Sequence, residues 1–188
     1  MSHEQNHLVH KVSSLVADME GESERGVALV AANYLDDQLA TLLKAFLVDE
    51  PSEVDDMFIL RAPLGDFDSK IRMSYCLGLI TQQEYHDIQI IRKIRNLFAH
   101  QTSSRSFENQ NIKDRCHNFI LLTEQGTINI VLGLQKDASI PADFRLNNIP
   151  RARFTLLTAI LCLALYDRAR NIERTKAYTN GLVQELIF

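Results

Sequence analysis

The chain has 188 residues, 46% of them hydrophobic and 23% charged, which suits one ordinary globular domain able to bury a real core. A formal net charge of -4 and a pI near 5.9 argue against a protein that grips duplex DNA through a broad basic face, and leave room only for a local basic patch. Seven glycines and four prolines, against long apolar periodic runs, predict helices rather than many short strands. The segment Met1 to Val12 has no continuous apolar run of the kind that opens an export signal, and Phe154 to Tyr166, the most apolar stretch, falls short of the 18 or so residues a membrane span requires. Cys76, Cys116 and Cys162 are odd in number and widely spaced, which fits reduced thiols buried as small core residues of a cytoplasmic protein.

His3, His7 and His10 recur at helical spacing, but without a fourth ligand nearby they read as solvated residues of a short first helix rather than a metal site. An acidic turn at Asp18 to Glu24 follows. From Ser23 to Val48 apolar residues recur at three and four, predicting a long amphipathic helix whose other face carries Asn33, Asp36, Asp37, Gln38 and Lys44. Asp36 and Asp37 are adjacent, so they diverge by about 100° and do not form an acid/base pair. One of them is placed to bridge an arginine of a later helix.

Pro51 ends that helix region, and Val54 to Leu60 can form a short apolar helix before the turn Ala62-Pro-Leu-Gly65. Asp66 or Asp68 can cap a helix over 68–77 with Ile71, Met73, Tyr75 and Cys76 inward, stopped by Gly78 in a left-handed conformation. Thr81-Gln-Gln-Glu84 is a capping box, so the next helix returns antiparallel after a short connection. That helix, through Ile88 to His100, turns Ile90, Ile91, Ile94, Leu97 and Phe98 into an arc of about 120° and leaves Arg92, Arg95, Asn96 and Ala99 outside it. Gln101 to Arg105 is a polar loop, and Ser106 can cap a helix from Phe107 to about Phe119 or Leu122. Residues 119–134 allow a small β-hairpin, pairing 120–123 with 127–131, or a frayed helix end and a loop; 136–150 read as irregular. Arg151 to about Lys176 is a long helix, apolar almost all round to Tyr166 and basic at Arg168, Arg170, Arg174 and Lys176, followed by a weak final helix or tail. The expected fold is an all-α antiparallel helical bundle, one domain over 1–188 with its core between about 23 and 176.

Arg95-Asn96-x-x-x-His100 is the constellation that resembles chemistry. Cleaving RNA without a metal needs a base for the ribose 2′-OH and a cation for the charge on phosphorus, roles that histidine and arginine suit. Five residues along an intact helix set the two about 140° apart, so they share one phosphate only if the helix loosens before His100 or a second subunit brings its own pair. The alternative is structural: Arg95 paired with Asp36, Asp37 or the neighbourhood of Glu84, and His100 closing its own helix. His117 reads as a surface or satisfied histidine.

The run Ala62 to Tyr85, followed by Ile91-Arg-Lys-Ile-Arg-Asn-Leu-Phe-Ala-His100 and Ser106-Phe-Glu-x-x-x-Ile112-x-x-x-Cys116, resembles the mannitol operon repressor family. The resemblance implies a cytoplasmic, all-helical bacterial transcription regulator. The Arg-Asn-x-x-x-His segment separately resembles the HEPN superfamily of dimerising helical bundles, some of them metal-independent endoribonucleases. Carried over by position, Arg95 and His100 become the catalytic candidates and Asn96 the accessory polar residue; Arg92, Asn96 and Arg105 are the candidate RNA-binding residues. Two beyond the histidine, where nuclease toxins of that group often carry tyrosine, this chain has Thr102. Neither resemblance calls for a metal or cofactor. The sequence therefore supports a homodimeric regulator acting through a regulatory protein partner rather than a helix-turn-helix, with an RNA endonuclease or RNA-binding module as the alternative. Direct operator binding would fall to the basic 168–176 run, the only candidate for a recognition helix.

Overall fold

The computed structural model describes residues 14–19, 21–100, 106–123 and 149–176. After a helical segment at 14–19 come α1 (Glu24–Phe46), α2 (Pro51–Asp56), α3 (Phe67–Cys76), α4 (Gln82–Ala99), α5 (Gln110–His117), a 3-10 turn (Leu121–Thr123) and α6 (Pro150–Asn171). The described residues contain no strand. Outside them lie His3, His7, His10, Arg105, the second arm of the expected hairpin, most of the segment expected to be irregular, and the final tail.

α1 starts where the Ser23 hydroxyl accepts a bond from the Gly26 N–H at 3.0 Å, which satisfies one of the free donors of the first turn. Its buried face runs Val27, Ala28, Ala31, Ala32, Leu35, Leu39, Leu42 and Leu43. The alanines let the backbone approach α6 closely, and α1 packs on α6 more than on any other element. α6 is buried on nearly every side from Ala152 to Leu165, as its all-round apolar sequence requires. α3 and α4 form the antiparallel hairpin against α1, joined where Gly78 takes a φ of 71°. Without a Cβ, glycine adopts this left-handed conformation at little cost. The capping box is complete: Thr81 Oγ1 accepts from Glu84 N, and Glu84 Oε2 accepts from Thr81 N at 2.7 Å.

Several local expectations give way to tertiary contacts. α3 turns Lys70, Ile71 and Ser74 inward, while Tyr75 and Cys76 are exposed. Lys70 can be buried because its ammonium meets Asp36 of α1 at 2.7 Å, so Asp36 bridges a lysine of α3 and not an arginine of α4. Ser106 does not cap α5. Phe107 is drawn into the core between Phe98 and Phe154, with ring centroids 5.0 and 5.3 Å away, and Asn109 takes over as N-cap. The first arm of the expected hairpin is the 3-10 turn at Leu121–Thr123. α6 stops at Asn171, five residues short of expectation, and 172–176 leave the helix. Cys116 and Cys162 are core residues whose thiols burial pushes up to about 12, which makes them inert at neutral pH.

Candidate functional site at the end of α4

α4 presents its polar side chains along the groove it forms with α3. Asp68 of α3 accepts a bond from Gln89 Nε2 at 2.8 Å and from Arg72 Nε at 2.9 Å, and Arg92 Nη2 lies 3.3 Å from it. Burial alone would raise the Asp68 carboxyl; the bonds from Gln89 and Arg72 and the Arg92 charge outweigh that, holding its pKa below the ordinary carboxylate value. Arg92 also donates to Gln89 Oε1 at 3.0 Å, so this RNA-binding candidate is engaged in a network within its own subunit.

One turn on, Arg95 Nη1 donates to Asn96 Oδ1 at 3.1 Å, which brings two of the candidates together. Among the described residues no carboxylate pairs with Arg95: Asp36 is held by Lys70 and Glu84 by Arg168. His100 is the exposed C-cap, with φ -95° and ψ 0°, and its backbone N–H bonds Asn96 O at 3.1 Å. The helix therefore continues unbroken to His100, which leaves Arg95 and His100 about 140° apart around the axis of one subunit. The end of α4 is fixed by Phe98, buried against Phe107, and by Arg25, whose guanidinium reaches Ala99 O at 3.4 Å. His117 is a surface residue with Nδ1 at 2.8 Å from Lys113 O.

The basic run at the end of α6 is tied down. Arg168 makes two bonds to the Glu84 carboxylate, at 2.9 and 3.0 Å, and a third to Leu79 O at 2.7 Å. Arg170 stacks over the Tyr166 ring, Arg174 pairs with Asp49, and Thr175 N bonds Phe46 O at 2.7 Å. The last two contacts lash the chain after α6 to the end of α1.

Two buried carboxylates have long-range partners that were not legible from sequence. Glu84 serves the capping box and Arg168 together. Asp87 has no exposed surface, and its two oxygens accept the backbone N–H groups of Ile120 and Leu121 at 3.0 and 2.9 Å, with His86 Nδ1 at 2.9 Å. The only hint was a carboxylate set one residue before the core stripe at Ile88.

No group of three or more potential metal ligands converges among the described residues, and no helix there is long and apolar enough to cross a membrane. No curated protein matches the chain. Among solved structures, a chain of the X-ray structure of the MtlR-HPr complex from Escherichia coli aligns with a TM-score of 0.60 at 18% identity, over 85% of this chain and 98% of that one. The two share the all-α fold. The sequence model of the mannitol repressor family, MtlR, matches residues 16–173. The chain belongs to the mannitol repressor family.

Proposed function

We propose that this protein is a cytoplasmic transcription regulator of the mannitol repressor type that works through a protein partner rather than by reading operator DNA. The observation that carries this proposal is the fate of the basic run at 168–176: Arg168 and Arg174 are committed to Glu84 and Asp49, and 172–176 are not helical. A recognition helix needs free side chains along a continuous helix in the major groove. The related fold is seen with HPr, so HPr is the partner to test first. Isothermal titration of HPr into the full chain is expected to give saturable binding; a flat titration under conditions where the chain is folded would overturn the proposal.

A second reading has its own support. The Arg95 guanidinium and His100 imidazole lie at one helix end unclaimed by carboxylates among the described residues, in keeping with a HEPN-type metal-independent endoribonuclease or RNA-binding module. Because the two diverge within one subunit, this reading requires a homodimer that sets the pairs of two subunits against each other. Arg92, Asn96 and Arg105 would then hold the RNA. Incubating the chain with RNA in excess EDTA tests it: cleavage lost in His100→Ala supports the nuclease, salt-dependent binding without cleavage supports the RNA-binding module, and neither result leaves the protein-partner function alone.

A further inference from the structure

The groove between α3 and α4 has a helical stripe on each wall. Asp68, Arg72 and Tyr75 recur at i, i+4 and i+7 along α3, and Tyr85, Gln89, Arg92 and Asn96 at i, i+4, i+7 and i+11 along α4. The stripes meet at two places. Near the Gly78 turn the Tyr75 and Tyr85 rings stack with centroids 4.6 Å apart, and at the start of α3 Asp68 takes the bond from Gln89 and the approach of Arg92. Tyr75 is 40% exposed although one face of its ring lies on Tyr85, so the other face is turned to water. From Tyr85 to Asn96 the groove extends roughly 16 Å along the helix and ends beside Arg95.

The groove is basic although the chain as a whole is acidic. Arg72 and Arg92 share one carboxylate, that of Asp68, and Arg72 meets it through Nε while its side chain stays 61% exposed. From Ile88 to His100 α4 carries Arg92, Lys93 and Arg95 and no carboxylate. Glu84 and Asp87, earlier in the helix, are buried and bound to Arg168 and to the backbone at Ile120 and Leu121, and Asp66 is occupied as the cap of α3. Guanidinium groups beside an open aromatic face suit a chain of phosphates that carries unpaired bases, because the cations meet the phosphates and the ring takes a base. A duplex fits poorly, since its bases are stacked on one another and offer the ring no face.

We propose that the α3–α4 groove is a track for single-stranded RNA, which stacks a base on Tyr75 and sets phosphates on Arg72 and Arg92 on its way to Arg95 and His100. The inference rests on the RNA reading of the preceding subsection and adds the groove that seats the strand. The test is a fluorescence-anisotropy titration of the full chain into labelled oligoadenylate RNA of about 12 nucleotides, at several salt concentrations, with Tyr75→Ala, Tyr75→Phe and Arg72→Gln compared after thermal melts. Tyr75→Ala is expected to raise Kd about fivefold to a hundredfold, the range for one lost base stack, and Tyr75→Phe to leave it within about twofold. Arg72→Gln is expected to lower the slope of log Kd against log salt by about 0.7, the value for one phosphate contact on a single strand. The chain has no tryptophan, so quenching of tyrosine emission by the RNA, smaller in Tyr75→Ala, reports the stack directly. Wild-type affinity in Tyr75→Ala with an unchanged slope in Arg72→Gln would overturn the track while leaving the RNA reading standing. Failure of the wild-type chain to bind any RNA would remove both. Equal losses in Tyr75→Phe and Tyr75→Ala, or duplex RNA bound as tightly as the single strand, would overturn the base stack, and preference for the oligodeoxyadenylate of the same length would overturn RNA as the occupant.

Discussion

Replacing Asp87 with alanine is expected to cost about 3 kcal/mol of folding stability, the largest loss expected from a single polar substitution among the described residues. The carboxylate is fully buried, and its two oxygens are the acceptors for two backbone N–H groups, those of Ile120 and Leu121, more than thirty residues away. Alanine leaves both donors without their acceptor, and also removes the partner of His86. For a chain of this length a loss of that size lowers Tm by roughly 9 °C. Asp87→Asn keeps one acceptor oxygen but turns an amide N–H₂ toward the other donor, so its Tm should fall between those of wild type and alanine. Thermal melts of the three proteins followed by circular dichroism check the order. An alanine variant within a degree or two of wild type would mean that the 3-10 turn is held by other contacts.

Glu84→Ala should lower stability by about 2 kcal/mol, because one side chain performs two tasks. Its Oε2 accepts from Thr81 N at 2.7 Å at the start of α4, while both oxygens receive the Arg168 fork. Glu84→Gln separates the tasks: the amide oxygen still caps Thr81, whereas the charge that holds the half-exposed Arg168 is gone. The glutamine variant should therefore lose about half as much, and the losses of both variants should shrink as salt is added, because both remove the charge, while the difference between them should stay constant. Urea unfolding at low and high salt measures both effects. Equal losses in the two variants would show that the cap contributes nothing.

The positions of these two residues explain which features the sequence could reveal. Asp66, Gly78 and the Thr81/Glu84 box act over three or four residues, so their pattern is complete in the local sequence, and the structure has each of them in place. Glu84 meets Arg168 across 84 residues and Asp87 meets Leu121 across 34, distances over which no periodicity carries information. The same reason accounts for α3. An apolar-inward rule turns Tyr75 and Cys76 to the core along with Ile71 and Met73, whereas Asp36 on another helix stabilises a buried Lys70, and Tyr75 and Cys76 are left exposed. At α5 both Ser106 and Asn109 can cap, and the packing of Phe107 between Phe98 and Phe154 decides in favour of Asn109.

The candidate site divides along the same line. Arg95, Asn96 and His100 were legible as residue types at a helix end. Their relation depends on whether the last turn loosens, and the bond from His100 N to Asn96 O keeps it helical. Arg92 looked free on its helix, but Asp68, on the facing helix, engages it. Conversely, the exposed pair Ile59 and Leu60 read as the end of an apolar helix, since a left-handed residue such as Arg61 has no sequence signature of its own.

Regulation through a protein, and not by holding DNA, is the function proposed for this family member. One side-by-side binding measurement tests it most directly. A single preparation of the full chain, at about 0.15 M salt, is titrated with the proposed partner protein and, in parallel, with duplex DNA from upstream of the gene it regulates. Saturable binding to the protein is expected, and none to the duplex beyond what an unrelated sequence gives. Specific binding to the duplex with no response to the protein would contradict it, and would require Arg168 and Arg174 to leave Glu84 and Asp49.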